Sequence, residues 1–227
     1  MLQIINTVFP SPEQWETIIL GMRNPMNSWE KSDSSIYEFG GVEGDEVFSL
    51  GENDRKLMMN LAKGGSVHAK YRRMIPVYVT INAPLYWWKE FDTYKIGTVC
   101  NSCSTMHKIH EKEFTLSDFS YEHLKTLPVH EGQSVEVDYL KTLKFTVDCL
   151  NCARNCYLET GDKKYWWQII QLLPTSYNQR RTVMLNYEVL TNIYHSRKNH
   201  KLAEWHKFCA WIEELPLAEL ITGGSND

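Results

Sequence analysis

The clearest pattern along this chain is a change of period. Ile75, Val77, Val79 and Ile81 alternate with Pro76, Tyr78, Thr80 and Asn82, the period of two expected of a half-buried strand. Helical signals lie on either side. Ser11-Pro12-Glu13-Gln14 reads as a helix start, with Ser11 as N-cap, Pro12 in the first position and Gln14 completing a capping box. That helix is expected to run to about Met22. A second, Asn53–Ala62, is stopped by Gly64-Gly65. Ser32–Gly51, rich in glycine and acids, reads as loop or irregular strands.

Beyond the strand, Pro84 leads into Leu85–Phe91, an aromatic segment whose type the pattern leaves open. Asp92–His107 is small, hydroxyl-rich and poorly periodic, and reads as a loop. Helical patterns then cover Val135–Leu158, Lys163–Leu173, Tyr177–Ser196 and Leu202–Leu215, the last closed by Pro216. Thr222–Asp227 is a polar tail. The class is α+β with helix predominant, and 1–227 reads as a single domain.

Composition narrows the partners. Apolar residues make up 43% and charged residues 23%, an ordinary globular balance. A net charge of −4 gives no electrostatic case for nucleic acid or an anionic membrane. No apolar run approaches bilayer-spanning length. Met1–Gln14 lacks the basic start and long apolar core of a signal peptide, so the expected location is cytoplasmic. Reduced thiols are then the default for the six cysteines.

The expected Tyr177–Ser196 helix carries the most chemistry. At about 100° per residue, Asn186 and Arg197 fall within about 20° of each other, about three turns apart, with Asn192 roughly 120° around. That arrangement could hold an extended polar ligand, or be a solvated helix face. Cys100 and Cys103 precede His107 and His110, and Cys149 and Cys152 precede Cys156. The first set has too short a loop for the usual zinc finger, although a zinc-stabilised interaction module stays open. The second sits inside a helical pattern, where buried cysteine is common. Asn101-Ser102-Cys103-Ser104-Thr105 could cradle a phosphate through backbone donors and hydroxyls, or close as a turn on its own side chains. His68 precedes a basic cluster, Lys70, Arg72 and Arg73, which reads as a solvated face.

Taken in order, these segments resemble the flavin-dependent thymidylate synthase family. One block holds His68, the strand ending in Ala83-Pro84, the aromatic segment and the small-residue loop. The other holds Leu173-Pro174, Asn186, Asn192, Arg197 and Ala203-Glu204-Trp205, whose spacing fits the family without a gap. The resemblance implies a small sheet packed against long helices and a homotetramer. It implies a flavoprotein methyltransferase of nucleotide biosynthesis that methylates dUMP with methylenetetrahydrofolate and reduced FAD, with NADPH as reductant. Arg197 would hold the uracil edge as the catalytic residue, a preorganised electrostatic role. Asn186 and Asn192 would bond the flavin, and Tyr94 and Lys95 would occupy the place of the flavin-gripping residues. Glu90, Asn101, Ser102, Cys103, Ser104 and Thr105 would orient the nucleotide, with no metal.

The first block departs from the family signature. Arg-His-Arg falls on Thr93-Tyr94-Lys95, its serine on Cys103, a glutamate on Asn101 and a later arginine on Thr105. A nucleotide-binding glutamine falls on Glu90, an arginine on Ile170 and a second histidine on Met74. Lysine cannot reproduce the planar fork of arginine, and the losses at 101 and 105 remove charge-assisted hydrogen bonds. The alternative is therefore an altered or inactive homologue that binds a pyrimidine nucleotide or serves only as a structural or interaction protein.

Overall fold

The computed structural model describes residues 1–38, 46–129, 134 and 136–223. In chain order the elements are β1 (Gln3–Val8), α1 (Pro12–Arg23), β2 (Ser35–Glu38), β3 (Glu46–Ser49), α2 (Glu52–Lys63), β4 (Pro76–Pro84), α3 (Leu85–Phe91), β5 (Val99–Ser102), β6 (Thr126–Pro128), β7 (Glu136–Asp138), α4 (Tyr139–Thr160), α5 (Lys163–Leu172), β8 (Asn178–Asn186), α6 (Tyr187–Arg197), α7 (Ala203–Glu213) and α8 (Glu219–Thr222). The class is α+β, as the patterning requires. A four-stranded sheet runs in the order β1-β4-β8-β5, and two-stranded pairs join β2 to β3 and β6 to β7. No helix among the described residues is long and apolar enough to cross a membrane.

Two compact units share the chain. The first comprises Met1–Gln3, Ile81–Thr93 and Asn101–Arg181; the second comprises Ile4–Thr80, Tyr94–Cys100 and Thr182–Asp227. In the first, Phe114, Phe119, Leu143, Val147, Leu150 and Ile169 form a core between α4, α5 and the segment before them. The Asn151 carboxamide pins that segment to α4. It accepts from the Phe114 N–H at 2.9 Å and donates to the Phe114 carbonyl at 2.8 Å.

In the second unit α1 starts with the capping box expected at Ser11 and Gln14. Its last residue, Arg23, donates from Nε to Asp54 on α2 at 2.5 Å, and both side chains are buried. Asp54 also accepts from the Ser32 and Ser34 hydroxyls at 2.8 and 2.7 Å, and from the backbone N–H groups of Asp33 and Ser34 at 3.1 Å each. Burial pushes this carboxyl up, but the bonds from Ser34, Ser32, Arg23 and the Asp33 backbone outweigh it and hold the carboxyl below its ordinary value.

Three expectations change. Tyr177–Ser196 is not one helix: it is strand β8 followed by helix α6. In β8 the inward side includes buried Gln179 as well as Val183 and Leu185, and that polar member conceals the period of two. Asp92–His107 contains strand β5, exposed along its whole length and so without apolar alternation. Helix α4 begins at Tyr139, because Glu136–Asp138 is strand and Asp138 caps the helix by accepting from the Lys141 N–H. The expected start at Val135 lies outside the described residues. The open question at Leu85–Phe91 resolves as helix, with Trp87, Trp88 and Phe91 buried on it.

Candidate functional site

Within the second unit, the site residues gather around α6. Asn186 ends β8 in extended geometry and caps α6, its side-chain oxygen accepting from the Val189 N–H at 3.0 Å. This cap satisfies one of the orphan donors of the first turn. Arg197 is the last residue of α6, where a cation suits the helix dipole. The two residues thus mark opposite ends of an eleven-residue helix, about 16 Å apart along its axis, instead of two points inside one longer helix.

The segment between α3 and β5 lies along this helix. Gly97 has φ +78°, and a Cβ there would stand 3.0 Å from Nδ2 of Asn186 and 3.1 Å from Cγ2 of Val189. Glycine is needed for both the left-handed backbone and the close approach. At the other end of the segment, Tyr94 accepts a 2.9 Å hydrogen bond from Nε of Arg197. The Arg197 guanidinium carbon lies 5.6 Å from the centre of the Tyr94 ring and 4.9 Å from that of Trp205. Between these anchors Lys95 and Ile96 are exposed. The structure therefore brings Tyr94 to Arg197 and Gly97 to Asn186.

Asn192 faces a different environment. It lines a cavity of about 280 Å³ with Lys63, Ser66, Arg72, Glu188 and His195, and neither Asn186 nor Arg197 lines it. Arg72 is not part of a solvated basic face. It is buried, donates to Thr191 Oγ1 at 3.1 Å and the Ala62 carbonyl at 3.0 Å, and faces Glu188 at 3.7 Å. Lys70, Arg73 and His68 are exposed.

Within the first unit, Glu90 sits half-buried on α3. Asn101 and Ser102 finish β5, and Cys103 and Ser104 follow it on an exposed stretch, with Thr105 half-buried. Ser104 Oγ accepts from the backbone N–H groups of Met106 at 3.2 Å and His107 at 2.8 Å, so this part closes as a hydroxyl-bonded turn. The backbone of Cys103 is tied at both ends: its N–H donates to the Arg180 carbonyl at 3.0 Å, and its carbonyl accepts from buried Gln179 at 2.8 Å. Arg181 bonds Gln179 Oε1 at 2.9 Å and Asp92 at 2.7 Å, with its guanidinium carbon 4.3 Å from the centre of the Trp88 ring.

Gln179, Arg181 and the clamp made by Trp205 escaped sequence reasoning. For Gln179 and Arg181 the signal was the period of two in β8, hidden by polar residues on one side of the strand; Trp205 lies on α7, and nothing along the chain pairs it with Arg197. The six cysteines are free thiols. No group of three or more His, Cys, Asp or Glu side chains among the described residues is arranged to hold a metal ion.

No protein-family model matches the sequence, and no curated protein matches it. Solved structures match nearly the whole chain. Thymidylate synthase X (ThyX) from Helicobacter pylori, crystallised with FAD and dUMP, shares 18% identity over 97% of this chain and 96% of its own, with a TM-score of 0.62. Another structure of the H. pylori flavin-dependent enzyme with FAD and dUMP gives 18% identity, coverage of 96% and 95%, and a TM-score of 0.61. The UMP/dUMP methylase PolB from Streptomyces cacaoi, bound with 5-Br dUMP, gives 13% identity, coverage of 98% and 94%, and a TM-score of 0.57.

Proposed function

We propose that this chain, whose fold is that of the flavin-dependent thymidylate synthases, binds a dUMP-like pyrimidine nucleotide and methylates its base with FAD as cofactor. The observation that carries the reading is Arg197. A guanidinium fixed at the C-terminus of α6 by Tyr94 and Trp205 suits a planar ligand edge, and a planar fork matches paired acceptors such as the carbonyls of uracil. In this reading Arg197 orients the base and stabilises negative charge developing on the ring, a preorganised electrostatic contribution. By the family resemblance, Glu90 and Asn101–Thr105, including Ser102, Cys103 and Ser104, are further nucleotide-orienting residues.

The donor set suits a flavin dinucleotide in chemistry. Asn186 keeps its Nδ2 beside Gly97 while its oxygen serves the cap, and Lys95 is an exposed cation on the same segment. Asn192 opens into a polar cavity with Lys63, Ser66 and His195, groups able to donate to phosphate and ribose oxygens. When bound and reduced, FAD supplies the hydride that completes the methyl group, and the protein supplies orientation and electrostatics. Methylenetetrahydrofolate is the carbon donor in this reading and NADPH the reductant. The whole chain 1–227 then works as one functional domain of a cytoplasmic homotetramer.

One feature favours a second reading, nucleotide binding without redox chemistry. Thr93-Tyr94-Lys95 replaces the Arg-His-Arg of the family signature, and the Tyr94 hydroxyl is bonded to Arg197. Two measurements on the purified protein separate the readings. A bound flavin absorbance band after FAD addition, with isotope passing from labelled methylenetetrahydrofolate to dUMP, supports the synthase. Bound dUMP without label transfer supports the second reading, and failure to bind either FAD or dUMP removes both.

A further inference from the structure

The signature register sets Tyr94 among residues that grip the flavin, yet its hydroxyl lies 2.9 Å from Nε of Arg197. The contact is built, not incidental. Trp205, fully buried, presents its ring 4.9 Å from the same guanidinium. Tyr94 and Trp205 meet edge to face, with centroids 6.2 Å apart and planes at 71°. Trp205 is in turn seated edge-on against Phe208 at 6.0 Å and His200 at 6.3 Å. Tyr94 cannot drift far, because three residues on Gly97 packs in a left-handed turn against Asn186 and Val189.

A long arginine side chain loses rotamer entropy when it is held in one pose, and a ligand that must order it binds more weakly for that reason. The Trp205 ring beside it limits where the guanidinium can lie, and the Nε–H bond to Tyr94 limits its rotation. The Nε edge is thereby engaged by the protein before any ligand arrives. A histidine or lysine at position 94 would not offer the same hydroxyl acceptor.

We propose that Tyr94 and Trp205 are positioning residues that fix the Arg197 guanidinium for the pyrimidine, with the Tyr94 hydroxyl acting through Arg197 and not on the ligand. The inference rests on the reading of Arg197 as the nucleotide contact. Its test is a double-mutant cycle on dUMP affinity, measured by calorimetry on the full chain: wild type, Tyr94→Phe, Arg197→Lys and the double variant. Tyr94→Phe keeps the ring and removes only the hydroxyl, so the melting temperature should hold while Kd rises about tenfold, the scale of one charge-assisted bond. Lysine has no planar fork to orient, so in the Arg197→Lys background the same change should alter Kd by less than about twofold. Equal effects of Tyr94→Phe in both backgrounds, or none in either, would overturn the proposal. If wild type binds no dUMP, the nucleotide reading fails, and NMR exchange of the Arg197 Nε–H decides the inference separately. Slow exchange that becomes fast in Tyr94→Phe keeps Tyr94 as the anchor of Arg197; the same exchange in both proteins rejects it.

Discussion

At the scale of single residues, two arginines show how differently one side chain can be used. Arg197 is half-buried at a helix end among aromatic rings. Arg197→Ala is expected to abolish dUMP binding in calorimetry while the protein still unfolds cooperatively in urea, since a half-buried arginine at a helix end is not a core residue. Arg23 is the opposite case. It is paired with fully buried Asp54, so Asp54→Ala leaves an uncompensated buried cation and should cost about 3–5 kcal/mol. Urea unfolding of that variant checks the figure, and a loss below about 1 kcal/mol would contradict the pair's structural role. The same carboxyl, held below its ordinary 3.8 in the fold, contributes stability that is present above that value. The contribution is lost as pH falls further, through the folded value.

At the scale of elements, the segment Tyr94–Thr98 and helix α6 belong together. Gly97→Ala must place a Cβ in left-handed backbone, at about 1–2 kcal/mol, and crowd Asn186 Nδ2 and Val189. The variant should unfold at lower urea, and any FAD or dUMP binding should weaken with it; wild-type stability would show that the segment gives way easily. Asn186→Ala removes the cap of α6 and should cost about 0.5–2 kcal/mol. The α1 start was legible from Ser11, Pro12 and Gln14 because a capping box is local chemistry, complete within four residues. The β8–α6 boundary was not. Asn186 marks it as an N-cap, but Val183, Tyr187 and Leu190 also fit a helical spacing, and Gln179 interrupts the apolar alternation that would have declared a strand.

At the scale of the whole molecule, stability at high pH is set by buried phenols in both units. Burial raises Tyr71 in the second unit and Tyr177 in the first from 10.0 to about 12 each, and Tyr187 rises for the same reason. A raised group contributes stability that is intact below its unfolded value and is lost as pH climbs through its folded value. Unfolding is therefore expected between about pH 10 and 12, with the last part of the tyrosinate absorbance and the loss of circular dichroism appearing together in an alkaline titration. Tyrosinate absorbance complete for all twelve tyrosines without loss of structure would show these phenols to be accessible. The sequence by itself determined what depends on neighbours along the chain: the α+β class, the α1 capping box, the β4 alternation, and the ordered spacing of Pro174, Asn186, Asn192 and Arg197 that carries the family resemblance. Tertiary structure alone decided what depends on residues far apart in sequence. It turned Arg72 from a solvated cation into a buried one facing Glu188, and tied Cys103 to Gln179. It also set Arg197 against Tyr94 and Trp205. No periodicity announces such pairings, because a hydrogen bond or a ring contact requires only that folding bring two groups together in a place water has left.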